Sequence, residues 1–210
     1  MHQPPGQAEL TVDHTFSWEQ YAAMDPADQP VGAYYTVRRW RPERNELDLH
    51  LVLHEDPGPA SSWAERARPG DEVALWGPRT AWAPPAGTER YLLVADDTAL
   101  PAAAAILESL PDGVPVTLVA ETGSPATRPP MPERAGCEVI WVDRGDLHPG
   151  ECRGLVDAVR ALELPSTSAY AWGGGESRTM TAVRRHVRDE LGFAAEQVSL
   201  LAYWRRADAD

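Results

Sequence analysis

Beyond residue 87 the chain repeats one pattern, a short apolar run, a break, and then a longer stretch with helical spacing. The runs Tyr91–Val94, Val114–Ala120, Glu138–Val142, Ala169–Trp172 and Val198–Tyr203 are too short for helices. They carry little polar alternation, as expected of strands buried on both faces. Helical stretches separate them at Ala99–Ser109, Leu155–Leu162 and Glu176–Leu191, the last with an apolar stripe of Met180, Val183, Val187 and Leu191. This alternation predicts a parallel sheet covered on both faces. The Pro-rich loop Glu121–Arg134 makes one crossover irregular.

The earlier part of the chain is patterned differently. Ala33–Trp40 is rich in aromatic and β-branched residues, Arg41–Asn45 supplies a turn, and Asn45–His54 alternates Leu47, Leu49, Leu51 and Leu53 against Asp48, His50, Val52 and His54. The two runs predict a β-hairpin. A short helix is expected at Trp18–Met24 within a Pro-containing loop, and a strand at Glu72–Trp76. Ser62, followed three residues later by Glu65, matches a capping box and predicts a helix start after the Pro57–Pro59 loop. Ala83–Gly87 reads as a linker, which divides the chain into domains 1–86 and 87–210. The expected fold class is two-domain: a partial antiparallel barrel, α+β in character, followed by an α/β domain with a parallel sheet.

Three places in this pattern offer a seat for an anion or a nucleotide: the strand-turn-helix at Tyr91–Leu110, the helix start at Ser62, whose free N–H groups point back over the Pro57–Pro59 loop, and the turn Gly173–Ser177. At Tyr91–Leu110, strand, tight turn and helix follow one another, with Asp97 or Thr98 as the expected helix cap and Pro101 early enough for its missing N–H to cost little. Such a turn points helix N–H groups past the carboxyl edge of a strand, where they favour phosphate, although many α/β proteins contain it for packing alone. The turn Gly173–Ser177 either lets a nucleotide approach the backbone of Gly174, Gly175 and Glu176 or is a flexible strand-to-helix connection.

Composition narrows the chemistry. With 210 residues and 43% hydrophobic content the chain can bury a sizeable core. Its net charge of -13 excludes a broad nucleic-acid or anionic-membrane surface, so an anionic ligand needs a local arginine pocket. All 19 basic residues are Arg, which excludes a Schiff-base or P-loop lysine. Cys137 and Cys152 fit neither a disulfide framework nor a zinc site, and no His/carboxylate metal cluster is apparent. No apolar run approaches the roughly 20 residues that span a bilayer, and the first residues carry no signal core, so the cytoplasm is the expected location.

Several segments, taken in order, resemble the siderophore-interacting proteins, which are flavin-dependent ferric-siderophore reductases of the ferredoxin-reductase superfamily. They are Tyr35-Thr36-Val37-Arg38, His54 with Gly58-Pro59-Ala60-Ser61-Ser62-Trp63-Ala64, Gly70-Asp71 with Gly77-Pro78, Asp97-Thr98-Ala99-Leu100-Pro101-Ala102, Gly175-Glu176 and Tyr203-Trp204-Arg205. The resemblance implies a flavin-binding antiparallel barrel followed by an NAD(P)H-binding α/β domain. It places Tyr35 and Thr36 against the isoalloxazine ring and Val37 beside them. Arg38 and the loop of His54, Gly58, Ala60, Ser61, Ser62 and Trp63 then hold the FAD pyrophosphate. Asp97, Thr98, Ala99, Gly174, Gly175 and Glu176 complete the cofactor-binding set. The cofactors implied are FAD and NADPH or NADH, and the acceptor is a ferric siderophore.

The chain also departs from that family. Ala33 stands where an Arg usually precedes the Tyr-Thr pair, which removes a charge-assisted phosphate bond worth about 1.5–3 kcal/mol. Only some 30 loop-like residues come before the motif, which implies a shortened barrel whose open edge a homodimer could cover. The siderophore pocket has no Lys to draw on. Two further readings therefore stand beside the reductase: a non-catalytic relative acting as a nucleotide-binding or assembly module, and a flavin reductase that serves a partner enzyme.

Overall fold

The computed structural model describes residues 15–53 and 58–206. The chain forms two compact units, one from the segment ending at Tyr35 together with His50–Arg79, the other from Thr36–Leu49 and everything from Thr80 onward.

The second unit holds a five-stranded parallel sheet in the order β5-β4-β3-β6-β7, made of β3 (Arg90–Ala95), β4 (Val116–Thr122), β5 (Cys137–Asp143), β6 (Ala169–Glu176) and β7 (Val198–Trp204). Successive side chains of a strand point to opposite faces, so each strand feeds two cores. Leu92 and Val94 of β3 join Val119, Ala171 and Leu200 under α4 (Gly154–Arg160) and α5 (Ser177–Arg185). Leu93 and Ala95 join Leu118, Ala120, Tyr170 and Trp172 under α3 (Leu100–Ser109). These are the strands and helices that the apolar runs predict, and the sheet is parallel throughout. The same unit carries an antiparallel hairpin of β1 (Val37–Arg41) and β2 (Glu46–Leu49), with Asn45 at positive φ in the turn and a bulge between Val37 and Arg39.

The first unit holds α1 (Trp18–Ala23), closed by a reciprocal Ser17–Gln20 capping box, and α2 (Pro59–Arg66). The expected fold class therefore appears as a small antiparallel sheet plus a large parallel one.

The local differences have identifiable causes. The hairpin strands are shorter than their pattern: β1 starts at Val37 rather than Ala33, and β2 ends at Leu49 because no strand among the described residues pairs with 50–53. Glu72–Trp76 is not a strand, and Val73 makes a single bridge only. Helix α2 begins three residues before the expected Ser62, with Gly58 as its cap and Pro59 preset for the first helical position, so the Ser62–Glu65 capping box does not form. Gly173–Glu176 is no turn but the end of β6, and helix α5 starts only at Ser177. That helix then widens at His186–Glu190, where the Leu191 N–H donates to the His186 carbonyl five residues back.

Candidate functional site

In an open parallel sheet the ligand crevice lies at the carboxyl ends of the strands, where chain connections diverge to opposite sides. Here that point lies between β3 and β6, since β3 connects onward to β4 on one side while β6 and β7 lie on the other. The turn Asp97-Thr98-Ala99 and the strand end Gly174-Gly175-Glu176 meet at this point.

Asp96 joins them. Its Oδ1 accepts from the Thr98 N–H at 2.9 Å and the Thr98 hydroxyl at 2.6 Å. Its Oδ2 accepts from the Glu176 N–H at 3.0 Å and the Trp204 indole N–H at 2.8 Å. The carbonyl of Asp96 accepts from Ala99 and Leu100, so this residue shapes the entry to α3, and neither Asp97 nor Thr98 caps the helix. Glu176, 2% exposed, caps α5 by accepting from the N–H groups of Arg178 and Thr179 at 2.5 and 3.0 Å.

The glycines at the end of β6 are required by close approach. A Cβ on Gly174 would stand 2.8 Å from the Tyr203 ring and 2.9 Å from the Ala99 methyl, and one on Gly175 would stand 2.7 Å from Asp96 Oδ2. Tyr203 thus lies over Gly174, and its phenol hydrogen-bonds Thr36, which brings one member of the Tyr-Thr pair to this crevice. Burial pushes the Tyr203 phenol up, the Thr36 bond opposes that, and Asp96 adds to it.

Asp97 turns the other way, toward Arg144 at the end of β5. The Arg144 guanidinium lies 3.2 Å from Asp97 and 3.3 Å from Glu121, whose side chain is 6% exposed. Burial raises both carboxyls above their ordinary range, and Arg144 only partly offsets it. Asp96, Glu121, Arg144 and Tyr203 are absent from the site residues that sequence reasoning selects. An acid directly after a fully buried strand must find donors, which would have singled out Asp96. Arg144 lies 23 and 47 positions from its partners, and no local pattern reports such a contact.

The other expected residues lie elsewhere. Val37 and Arg38 open β1, where the Arg38 guanidinium forms a fork on Glu108 of α3 with both bonds at 2.8 Å. In the first unit Tyr35 is 41% exposed and burial raises its phenol. Gly58, Ala60, Ser61, Ser62 and Trp63 form the start of α2, where the Ser61 hydroxyl donates to the Val52 carbonyl at 2.9 Å and the Ser62 N–H to the Gly58 carbonyl at 2.9 Å. His54 lies outside the described residues.

The family model of the siderophore-interacting protein matches residues 88–207, and that of the siderophore-interacting FAD-binding domain matches residues 1–82. The chain belongs to the siderophore-interacting protein family. Its relatives include the mycobactin import ATP-binding/permease protein IrtA of Mycolicibacterium smegmatis, 32% identical over 98% of this chain and 24% of that protein. Ferric vibriobactin reductase ViuB of Vibrio cholerae is 28% identical over 86% of this chain and 67% of its own length. Among solved structures, the siderophore-interacting protein SipS from Aeromonas hydrophila superposes with a TM-score of 0.83 at 32% identity, covering all of this chain and 77% of that one. The chain thus spans about a quarter of the length of the IrtA relatives. No helix among the described residues is long and apolar enough to cross a membrane.

Proposed function

We propose that this member of the siderophore-interacting family is an NAD(P)H-dependent flavin reductase that reduces a ferric siderophore and so releases iron, with residues 1–86 serving FAD and residues 87–210 serving the nicotinamide nucleotide. The observation that carries the reading is the crevice between β3 and β6, where Asp97-Thr98-Ala99, Gly174-Gly175-Glu176 and Thr36 converge. ViuB, named a ferric vibriobactin reductase, supports the choice of acceptor.

Each unit carries groups whose chemistry fits FAD. Ala60 lies in the first turn of α2, where helix geometry gives an N–H no acceptor of its own, and the positive end of the helix favours phosphate. Arg38 presents a guanidinium fork that matches a phosphate as well as it matches Glu108. Tyr35 supplies a half-exposed aromatic face and Thr36 a hydroxyl. Bound FAD supplies hydride acceptance from nicotinamide and one-electron transfer to Fe(III). The chain's own residues then align the nucleotide and keep water away, so no acid/base pair is needed. Reduction releases the metal because Fe(II) is a softer cation, less suited to the hard oxygen ligands of a siderophore.

A visible spectrum of the purified chain, taken after FAD is added and the excess removed and again after anaerobic NADH or NADPH, tests this reading. A retained flavin band bleached by one nucleotide is expected. A chain that retains no flavin at high FAD would leave the nucleotide-binding or assembly module as the reading to pursue.

A further inference from the structure

Asp96 is 8% exposed, and the partners named for its carboxylate are four neutral donors from three parts of the sheet edge. Two belong to the β3–α3 turn, one to the end of β6 and one to the end of β7. Gly175 leaves the space this requires, since a Cβ there would stand 2.7 Å from Oδ2. We infer that Asp96 is the positioning residue of the crevice, whose carboxylate holds the turn Asp97-Thr98-Ala99 in register with Gly175-Glu176 and so sets the spacing a nicotinamide nucleotide must meet. This inference rests on the proposed reading that such a nucleotide is the electron donor.

The geometry makes the isosteric replacement informative. In Asp96→Asn one oxygen becomes an NH2 group of nearly the same size. Turned toward β6 and β7, that group meets the Glu176 N–H and the Trp204 indole, neither of which can accept. Turned toward Thr98, it can be accepted by the hydroxyl but still opposes the Thr98 N–H. The second orientation loses fewer bonds, so the variant keeps the β6–β7 junction and loosens the β3–α3 turn. Trp204→Phe does the reverse by removing the β7 donor and leaving both Thr98 bonds.

The test uses the full chain loaded with FAD, NADH and NADPH as donors and ferricyanide as acceptor. For Asp96→Asn we expect the flavin band to be retained, kcat within about threefold of wild type, and KM for the nucleotide raised about tenfold or more through misplacement of the turn. Amide exchange should speed up at Thr98 and stay slow at Glu176, which a general loss of stability would not reproduce. An unchanged KM, with exchange at Thr98 accelerated, would overturn the inference and leave Asp96 a structural residue. Should Asp96→Asn fail to fold, Thr98→Val carries the test by removing the hydroxyl bond to Asp96 while keeping the backbone N–H, with exchange at position 98 faster and KM expected to rise about threefold; an unchanged KM there would again overturn it. A wild-type chain that oxidises neither nucleotide would overturn the functional reading, and the inference with it, before any variant is compared.

Discussion

The sheet-bearing unit and the unit that contains α1 and α2 are built by different rules. In the first, β3, β4 and β6 are buried on both faces, and Leu93, Val94, Leu118 and Val119 have no exposed surface. In the second, Trp18, Leu75 and Trp76 stand about half exposed, and the aromatic rings of Phe16, Trp18, Tyr21 and Trp76 meet edge to face at 5.3–6.2 Å. Apolar burial concentrates in the parallel sheet, so stability should be far more sensitive to a side chain there than to one of equal size in the other unit.

Leu93→Ala should therefore show the largest effect, a loss of about 2–5 kcal/mol in urea unfolding, since it empties a site at the centre of the sheet. Gly173→Ala comes next: the new methyl would stand 2.6 Å from the Val94 carbonyl, and overpacking of this kind costs about 1–3 kcal/mol. A wild-type melting curve from that variant would mean that the sheet is looser than its spacing.

Glu121→Gln should act in the opposite direction. Because burial raises the Glu121 carboxyl above its ordinary value of 4.5, its contribution to stability is fully present below that pH and is lost as pH rises through the folded-state value. The variant is spared that loss, so at pH 7 it should melt about 2 °C above wild type, and the two curves should converge under acid conditions. A melting temperature below wild type at pH 7 would show that the Arg144 bond outweighs desolvation. Leu75→Ala should be the smallest change, within about 0.5 kcal/mol, because Leu75 is 59% exposed. A loss as large as that of Leu93→Ala would erase the contrast between the two units.

The same contrast explains what could be read from the sequence. Strands β3, β4 and β6 are legible because a strand covered on both faces must be apolar nearly throughout, the edge strands β5 and β7 because each keeps a short apolar run, and helices α3 to α5 because they cover that sheet. The segment Glu72–Trp76 carries apolar residues too, yet strand pairing depends on a partner, and Val73 finds a single bridge. Helix starts shifted where a stronger local device competed, as Pro59 did with Ser62. At the crevice the six residues from Asp97–Ala99 and Gly174–Glu176 could be selected from the strand-turn-helix pattern and the resemblance. Asp96 was legible in part, as an acid closing a buried strand two positions before Thr98, but its donors on Glu176 and Trp204 were not, because they lie 80 and 108 positions away.

The strand order also imposes a sequence of events on folding. Strands β3, β4 and β5 are consecutive in the chain and lie side by side, so that half of the sheet can assemble by closing comparatively short loops. Strand β6 must then return across the width of that half to pair with β3, and β7 must follow it. Contacts of such sequence separation are the slow ones. The seam between β3 and β6 thus closes after the β3–β5 half, and the crevice exists only once it has. A chain that ends before β6 can assemble half of its sheet but lacks the strand end that forms the other wall of the crevice.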